Sequence, residues 1–284
     1  MRLSAKLSIV MFLGAGILAF SVRGAAADQL GFAVDNTETL FSVDLTTATA
    51  TPIGFTGQFL QGLAVSTTGG LFGTDFLGNL YSVSKTTGAT TLIGSVVSGG
   101  TPVGDIEGLT FRGTTLIGTN FSNLGGPTTV FSIDTATAAA TPITSFSQGP
   151  VRAMALLNTN AIDVASDSPV SQSLVSANLL TGTNTNLGQL PSMGAALIAA
   201  LNFGTDGNLY ALDPFGNEFM IASNGAGIPV GNTGGQYWLD LTMASTVLDP
   251  DGVPEPTSMA LLLVAALGVI SVRAWQRSRG STQG

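Results

Sequence analysis

A five-residue phrase that occurs five times constrains the fold more than any other feature of the sequence. It consists of an aliphatic residue, an aromatic or aliphatic one, serine, a second aliphatic residue and a polar one. The copies are Leu40–Asp44, Leu80–Ser84, Val130–Asp134, Leu174–Asn178 and, more loosely, Glu218–Ala222, with starts spaced 40, 50, 44 and 44 residues apart. Side chains that alternate at period two are typical of a half-buried β-strand.

Each copy of the phrase stands third in a unit of four short strands. A Thr- and Gly-rich turn and a further strand follow it, as in 46–54, 86–94 and 135–143. Two strands precede it, and the first of them repeats at intervals of 46 residues, at Leu63, Leu109, Ala155 and Leu201. Four strands per unit, repeating every 40 to 50 residues, indicate the blades of a β-propeller.

The first unit lacks its own first strand, because Gly31–Asp35 corresponds to the second strand of the later units. Tyr237–Ala244 has the pattern of a strand and no further strands after it. We expect this segment to supply the missing inner strand and to close the ring without an exposed edge. The predicted fold class is all-β, a five-bladed β-propeller with four-stranded blades over residues 28–244. An open β-sandwich assembled from unrelated strands is the alternative.

Composition limits the chemistry that the chain can perform. The sequence has no Cys and no His, which excludes disulfides, thiolate chemistry and histidine ligands. Between residues 28 and 253 only Lys85, Arg112 and Arg152 oppose 16 acidic residues, which gives a formal charge of −13. Three scattered cations cannot neutralise the phosphates of a duplex, so we expect no nucleic acid partner. A divalent cation, a neutral glycan or a basic partner is easier to accommodate.

Polar residues recur where the second strand of each unit ends, at Asp35, Asp75, Asn120, Asp167 and Asp213. In a propeller this strand leads to the face on which the inner strands begin, so these positions are expected to surround one mouth of the channel. Such a ring of oxygen ligands is a candidate site for a ligand or for Ca²⁺, and we expect no other cofactor. The alternative is that each side chain bonds the backbone of its own turn, as Asp and Asn commonly do at strand ends.

Asp105 and Glu107, just before the inner strand of the third unit, are expected to approach the same face, and a further carboxylate, Asp240, lies within the proposed closing strand. Glycoside hydrolysis requires a pair of carboxylates, one as acid and one as nucleophile or base. The sequence offers no way to choose such a pair, so no catalytic residue is assigned and these acids are expected to be solvated. Trp238 is a candidate for lining the channel.

Both ends of the sequence carry targeting signals. Arg2 and Lys6 precede an apolar run, and small residues at 25–27 end it, which predicts a signal peptide over residues 1–27 and processing by signal peptidase. Near the other end, 16 uncharged residues from Thr257 to Val272 span about 24 Å as a helix, which is a minimal transmembrane length. Arg273, Arg277 and Arg279 follow, and the positive-inside rule places them in the cytoplasm and the preceding domain outside it.

Val253, Pro254, Glu255 and Pro256 stand directly before that helix. The order of a Pro-Glu-Pro motif, a short membrane helix and an arginine cluster resembles the PEP-CTERM sorting tail of Gram-negative bacteria. The resemblance covers residues 254–279, with 245–253 as a linker. It implies that an exosortase recognises and cuts the tail. The protein would first be anchored in the inner membrane, with its domain outside the cytoplasm, and then be released to the cell surface or the extracellular matrix.

The repeated phrase at Leu80–Val83, followed by Thr86–Gly94, resembles secreted bacterial propeller-like domains of unknown function. That resemblance implies no activity. Sorting tails of the PEP-CTERM type accompany exopolysaccharide production, so the tail implies an association with extracellular polysaccharide. The combined expectation is a non-enzymatic extracellular interaction module. A carbohydrate-active hydrolase with paired carboxylates at the propeller mouth is the alternative.

Overall fold

The computed structural model of the chain describes residues 29–120, 127–146, 151–158, 161–167, 172–190, 198–234 and 237–243, and for 161–167 it describes only the course of the backbone. The predicted signal peptide, the linker, and the sorting tail with its motif Val253–Pro256 and its three arginines lie outside these residues. Within the described residues no helix is long and apolar enough to cross a membrane.

The described residues form 22 β-strands, of which all but two follow one another as the four-strand units predict. In chain order they are β1 (Leu30–Asp35), β2 (Thr39–Asp44), β3 (Thr49–Phe55), β4 (Leu60–Val65), β5 (Leu71–Asp75), β6 (Asn79–Val83), β7 (Thr90–Ser95), β8 (Val97–Ser98), β9 (Thr101–Pro102), β10 (Ile106–Arg112), β11 (Thr115–Asn120), β12 (Thr128–Ile133), β13 (Ala140–Phe146), β14 (Val151–Asn158), β15 (Ala161–Asp167), β16 (Gln172–Asn178), β17 (Asn184–Gln189), β18 (Ala200–Phe203), β19 (Leu209–Leu212), β20 (Asn217–Ile221), β21 (Gly227–Asn232) and β22 (Trp238–Met243).

These strands make five four-stranded antiparallel sheets, each of which is one blade of an all-β propeller. Blade 1 has the order β22-β1-β2-β3, blade 2 is β4 to β7, blade 3 is β10 to β13, blade 4 is β14 to β17 and blade 5 is β18 to β21. The predicted pairing of the last strand with the first is confirmed, since Gly31 lies opposite Met243 and Ala33 opposite Leu241. The short hairpin of β8 and β9, between blades 2 and 3, was not predicted.

The first strands of the blades contact one another around a ring. β4 packs against β10, β10 against β14, β14 against β18, β18 against β22, and β22 against β4. All five run in the same sense, which gives the propeller two different faces. We call the face where these inner strands begin the upper face and the face where they end the lower face. The upper face also carries the turns between second and third strands. The lower face carries the other two turns of each blade.

The core lies between neighbouring blades and is divided into clusters of buried apolar side chains. The cluster between blades 5 and 1 contains Phe41, Leu212 and Trp238. Trp238 is fully buried, and its ring meets that of Phe41 edge to face at 4.9 Å. The expectation that Trp238 lines the channel is therefore wrong. Its position, first in the closing strand, is filled in other blades by the aliphatic residues Leu60 and Ile106, which also pack towards the preceding blade. Burial of so large an apolar surface stabilises the seam.

Four inner strands bulge at their second residue, which is Leu239 in blade 1 and a polar residue in blades 2, 3 and 4. The register with the neighbouring strand skips one position at Gln61 in blade 2, at Glu107 in blade 3 and at Arg152 in blade 4. A bulge removes one residue from the hydrogen-bond ladder and redirects its side chain. Consequently three polar side chains leave the ladder at the upper ends of adjacent inner strands.

Candidate binding site at the upper face

The three polar bulged residues, Gln61, Glu107 and Arg152, form one chain of polar contacts across blades 2, 3 and 4. Arg152 Nη1 lies 3.6 Å from Glu107 Oε2, and Gln61 Nε2 donates a hydrogen bond of 3.4 Å to Glu107 Oε1. The Arg152 side chain is 39% exposed, whereas that of Glu107 is 8% exposed. The carboxylate is thus shielded between its two neighbours, and the guanidinium presents the accessible surface of the group.

Asp105, directly before β10, belongs to the same group, which we call the upper-face cluster: Gln61, Asp105, Glu107 and Arg152. Burial raises the pKa of Asp105 to about 6, although the positive charge of Arg152 works in the opposite direction. Asp105 Oδ1 and Gln61 Oε1 are buried and have no hydrogen-bond partner among the described residues. Such atoms are costly unless something donates to them. At mildly acidic pH the Asp105 carboxyl can therefore either donate or accept a proton.

The expectation that the carboxylates near the mouth are solvated is wrong for Glu107 and Asp240. Glu107 is buried because Arg152 of the next blade pairs with it. Asp240 is buried in the closing strand, where its Oδ2 accepts a 2.5 Å hydrogen bond from the N–H of Leu63 in β4. Burial raises the pKa of Asp240 well above its usual value. Asp240 therefore ties blade 1 to blade 2 and is not accessible to a ligand.

The recurring Asp residues at the ends of second strands are used within their own turns. In Asp35, Asp75 and Asp213 the Oδ1 atom accepts two backbone N–H groups at 2.8 to 3.0 Å, from Thr37 and Thr39, from Leu77 and Asn79, and from Phe215 and Asn217. Asn120 Oδ1 accepts the N–H of Thr129 at 2.7 Å. For Asp167 the structure describes the backbone alone. These bonds match the turn-capping alternative.

Register places all five of these positions at the upper face, beside the starts of the inner strands. Among the side chains that the structure describes, no three His, Cys, Asp or Glu groups lie close enough to hold a metal ion. The ring as a Ca²⁺ site stays a prediction. Its described carboxylates would have to bind the ion in addition to their turns.

Exposed aromatic side chains on the same face were missed by the sequence reasoning. Phe76, Phe215 and Tyr237 are 54%, 56% and 46% exposed. The rings of Phe215 and Tyr237 stand perpendicular with their centres 6.2 Å apart. A signal was present in the sequence, because Phe76 and Phe215 lie inside Asp-x-x-Gly turns, whose middle side chains face solvent when the Asp caps the turn.

The upper face therefore combines donors, acceptors and apolar rings. Arg152 donates, Asp105 and Glu107 accept, and the amide of Gln61 does both. The surplus of carboxylates opposes an anionic ligand. A neutral ligand with many hydroxyl groups matches this set, because each hydroxyl both donates and accepts.

A shallow groove on the lower face holds none of the predicted site residues. It has a volume of about 580 Å³ and is lined by hydroxyl-bearing side chains of blade 3 together with Asp134. Asp134 accepts the backbone N–H groups of Ala136 and Thr137, and these bonds hold its pKa below the usual range. The groove is consequently the surface between the two lower-face turns of blade 3.

No protein-family model matches the chain, and comparison with curated protein sequences gives no match. Solved structures resemble it in fold. A gluconolactonase from Xanthomonas campestris aligns at 13% identity with a TM-score of 0.51, over 74% of this chain and 78% of the other. A chain of the nidogen/laminin complex aligns at 13% identity with a TM-score of 0.49, over 77% of this chain and 81% of the other. At such low identity the first of these similarities supports the propeller fold and nothing finer.

Proposed function

We propose that the protein is an exported five-bladed propeller, sorted by an exosortase, that binds extracellular polysaccharide at its upper face. The observation that carries the binding proposal is the upper-face cluster. It gathers a part-exposed Arg152, a carboxyl of raised pKa in Asp105 and buried acceptors without a partner among the described residues. Sugar hydroxyls can donate to those acceptors and accept from the guanidinium at once.

The aromatic side chains of the upper face support the same ligand class. Phe76, Phe215 and Tyr237 offer apolar ring faces beside hydrogen-bonding groups. Sugar rings present apolar C–H faces and polar rims, so they can use both kinds of surface. The acidic balance of residues 28–253 excludes nucleic acid for the reasons given above and disfavours a polyanionic polysaccharide.

The export part of the proposal rests on the tripartite tail at 254–279 and the signal sequence at 1–27. In this scheme signal peptidase removes the leader, the tail holds the protein in the inner membrane with the propeller outside, and the exosortase then releases it. The partners of the protein are thus two processing enzymes and one polymer.

Binding is tested with the full chain purified in detergent and the neutral polysaccharide fraction of the producing bacterium, by titration calorimetry. The variant Arg152→Gln keeps a hydrogen-bonding partner for Glu107 and removes the charge. We expect it to bind about tenfold more weakly, which corresponds to the loss of about 1.4 kcal/mol. Arg112→Gln on the lower face is the matched control and should bind like the wild type. Equal binding by all three proteins, or no binding by the wild type, would refute the assignment.

A hydrolase is the second candidate, favoured by one observation. Asp105 and Glu107 are two carboxyl groups in different environments, one with a pKa of about 6 and one held by Arg152. Two carboxyl groups that act as acid and base in catalysis typically stand in such different environments. Incubation with the polysaccharide should then release reducing ends fastest near pH 6, and Asp105→Asn, which keeps an acceptor oxygen but cannot transfer a proton, should abolish the release. If no product forms at any pH, the hydrolase hypothesis is refuted and binding is the only proposed function that stays.

A further inference from the structure

The described chain both begins and ends on the lower face. β1 starts there with Leu30, which lies opposite Asp44, and β22 ends there with Met243, which lies opposite Gly31. Trp238 marks the other end of β22 at the upper face, where it pairs with Asp35. Whatever follows Met243 therefore departs from the face that is opposite to the upper-face cluster.

The distance from Met243 to the proposed membrane helix is short. Ten residues, 244–253, precede Pro254. Fully extended, they reach at most about 36 Å, at about 3.6 Å per residue. This bound limits how the propeller can be placed on the bilayer.

With the upper face against the bilayer, the linker would have to pass around a blade. It would travel outward from the inner strand across four strands, about 17 Å, and then along the blade, about 20 Å for six residues of strand. Those two legs use up the whole extended length, and a headgroup layer of about 5 Å still has to be crossed. With the lower face against the bilayer, no such detour is needed.

The distribution of charge between the two faces also favours placing the lower face against the bilayer. Among the side chains that the structure describes, six carboxylates on the upper face oppose the guanidinium of Arg152, which leaves a formal −5 when Asp240 and Glu218, whose pKa burial raises, are set aside; the six are Asp35, Glu38, Asp75, Asp105, Glu107 and Asp213. On the lower face Lys85 and Arg112 oppose three carboxylates, which leaves −1; those are Asp44, Asp134 and Asp206. Anionic headgroups repel the upper face more strongly. Its exposed Phe76 and Phe215 cannot reach lipid without bringing Asp75 and Asp213 with them.

We propose that the lower face of the anchored propeller rests on the phospholipid surface and that the upper-face cluster points away from the membrane. This inference depends on the membrane anchor of the proposed function. Its consequence is that the polysaccharide site is accessible before the tail is cut, so the protein can engage its polymer while still attached to the cell.

The absence of cysteine allows a direct test with single labels. Leu77 in the upper-face turn of blade 2 and Leu180 in the lower-face turn of blade 4 are 60% and 72% exposed, and they make a matched pair for substitution. Leu77→Cys and Leu180→Cys are each labelled with an environment-sensitive fluorophore in the full chain. The proteins are then reconstituted in vesicles of phosphatidylethanolamine and phosphatidylglycerol whose headgroups carry nitroxide quenchers.

We expect the label at 180 to be quenched several-fold more than the label at 77, which should behave as it does in detergent without quencher. Equal quenching, or stronger quenching at 77, would overturn the orientation while leaving the anchor intact. If the protein does not float with the vesicles, the anchor itself fails and the orientation fails with it. Circular dichroism of both variants establishes that the propeller is folded.

Discussion

Glu218 occupies a position that the other blades fill with an aliphatic side chain. The equivalent residues are all buried and pack towards the next blade: Leu40, Leu80, Val130 and Leu174. Both carboxyl oxygens of Glu218 are likewise buried and without a hydrogen-bond partner among the described residues. Burial, with a contribution from the negative charge of Asp44, raises the pKa of Glu218 to about 8 from an ordinary 4.5. The Glu218 carboxyl is therefore mostly protonated at pH 7, and its burial without a hydrogen-bond partner among the described residues still lowers the stability of the fold.

The substitution Glu218→Leu is expected to stabilise the protein by about 1–3 kcal/mol at pH 7, because it removes a buried unsatisfied group. The folded state holds the Glu218 proton more tightly than the unfolded state, so the contribution of Glu218 to wild-type stability is greatest below pH 4.5 and falls as pH rises towards 8. The loss is at most about 1.4 kcal/mol per pH unit. Urea titrations from pH 4 to 8 should show a gap between variant and wild type that widens with pH. A constant gap would contradict the pKa assignment.

Glu38 holds a backbone conformation that usually requires glycine. Its φ is 60°, and the equivalent turn residues of blades 2 and 5 are Gly78 and Gly216, with φ of 76° and 84°. A side chain in this left-handed region costs about 1–2 kcal/mol. The substitution Glu38→Gly should raise the free energy of unfolding by about 1 kcal/mol, net of the extra flexibility of the unfolded chain.

For a domain of this size the melting temperature should then rise by about 2–4 °C. Differential scanning calorimetry measures it. The reverse change at the equivalent site, Gly78→Ala, is the control and should lower the melting temperature, because a Cβ there would collide with the carbonyl oxygen of Gly104. A melting temperature that falls with Glu38→Gly would show that the side chain contributes more than its strain costs.

The closing strand β22 is joined to blade 2 by side chains as well as by packing. Asp240 accepts the N–H of Leu63, and Thr242 accepts the N–H of Val65 at 3.3 Å. These two amides belong to the inner strand β4, whose ladder partner β5 lies on its other side. The side chains of Asp240 and Thr242 therefore accept the backbone N–H groups of β4 that would otherwise bond to the backbone of a neighbouring strand.

The substitution Asp240→Asn should destabilise the protein less than Asp240→Ala, because its amide oxygen can still accept the N–H of Leu63 but its NH2 group then faces the N–H of Leu241, which Asp240 Oδ1 accepts at 2.8 Å in the wild type. The substitution Asp240→Ala should destabilise by about 1–3 kcal/mol, since the Leu63 N–H then lacks its acceptor. Urea midpoints compare the two. If both variants unfold at the same midpoint, the bond between blades 1 and 2 contributes nothing to closure.

At the scale of the whole molecule, the proposed sorting tail is expected to decide whether the propeller stays on the membrane. Replacing Pro254, Glu255 and Pro256 by alanine is expected to leave the protein in the membrane fraction of its host, because the processing enzyme loses its motif while the helix remains. The wild type should appear in the medium. Replacing the nearby Thr257 by alanine is the control and should not alter release. Immunoblots of the two fractions measure the distribution, and release of the triple variant would refute exosortase recognition at this motif.

The fold was accessible from sequence because the repeat is local. Leu71–Asp75 was predicted as a strand and is β5, and Ala200–Phe203 was predicted as the first strand of its unit and is β18. Period-two alternation and turn residues act over a few positions, so they can be read without the partner strand. The pairing of Trp238–Met243 with β1 was also predictable, because a count of strands per unit left one strand missing at the start and one unpaired at the end.

The candidate site was accessible only in part. Asp105 and Glu107 were expected near the mouth, but the contacts that bury Glu107 come from Arg152, 45 positions further along the chain. The bulges that turn Gln61, Glu107 and Arg152 out of their ladders leave no mark in the alternation of side chains. Trp238 was a candidate for lining the channel for a similar reason, since alternation does not tell the channel side of a strand from the side that packs on the preceding blade.

The sequence by itself determined the grouping of the blade strands into units of four, the strand that closes the ring and the acidic balance of the domain, because all of these are sums or short-range patterns along the chain. Tertiary structure alone decided which polar side chains meet. Ring closure brings residues about 45 positions apart into contact at the upper face, and burial there turns ordinary carboxyls such as Asp105 into groups with altered pKa. It also set the face of the propeller at which β22 ends, which is the face opposite to the upper-face cluster.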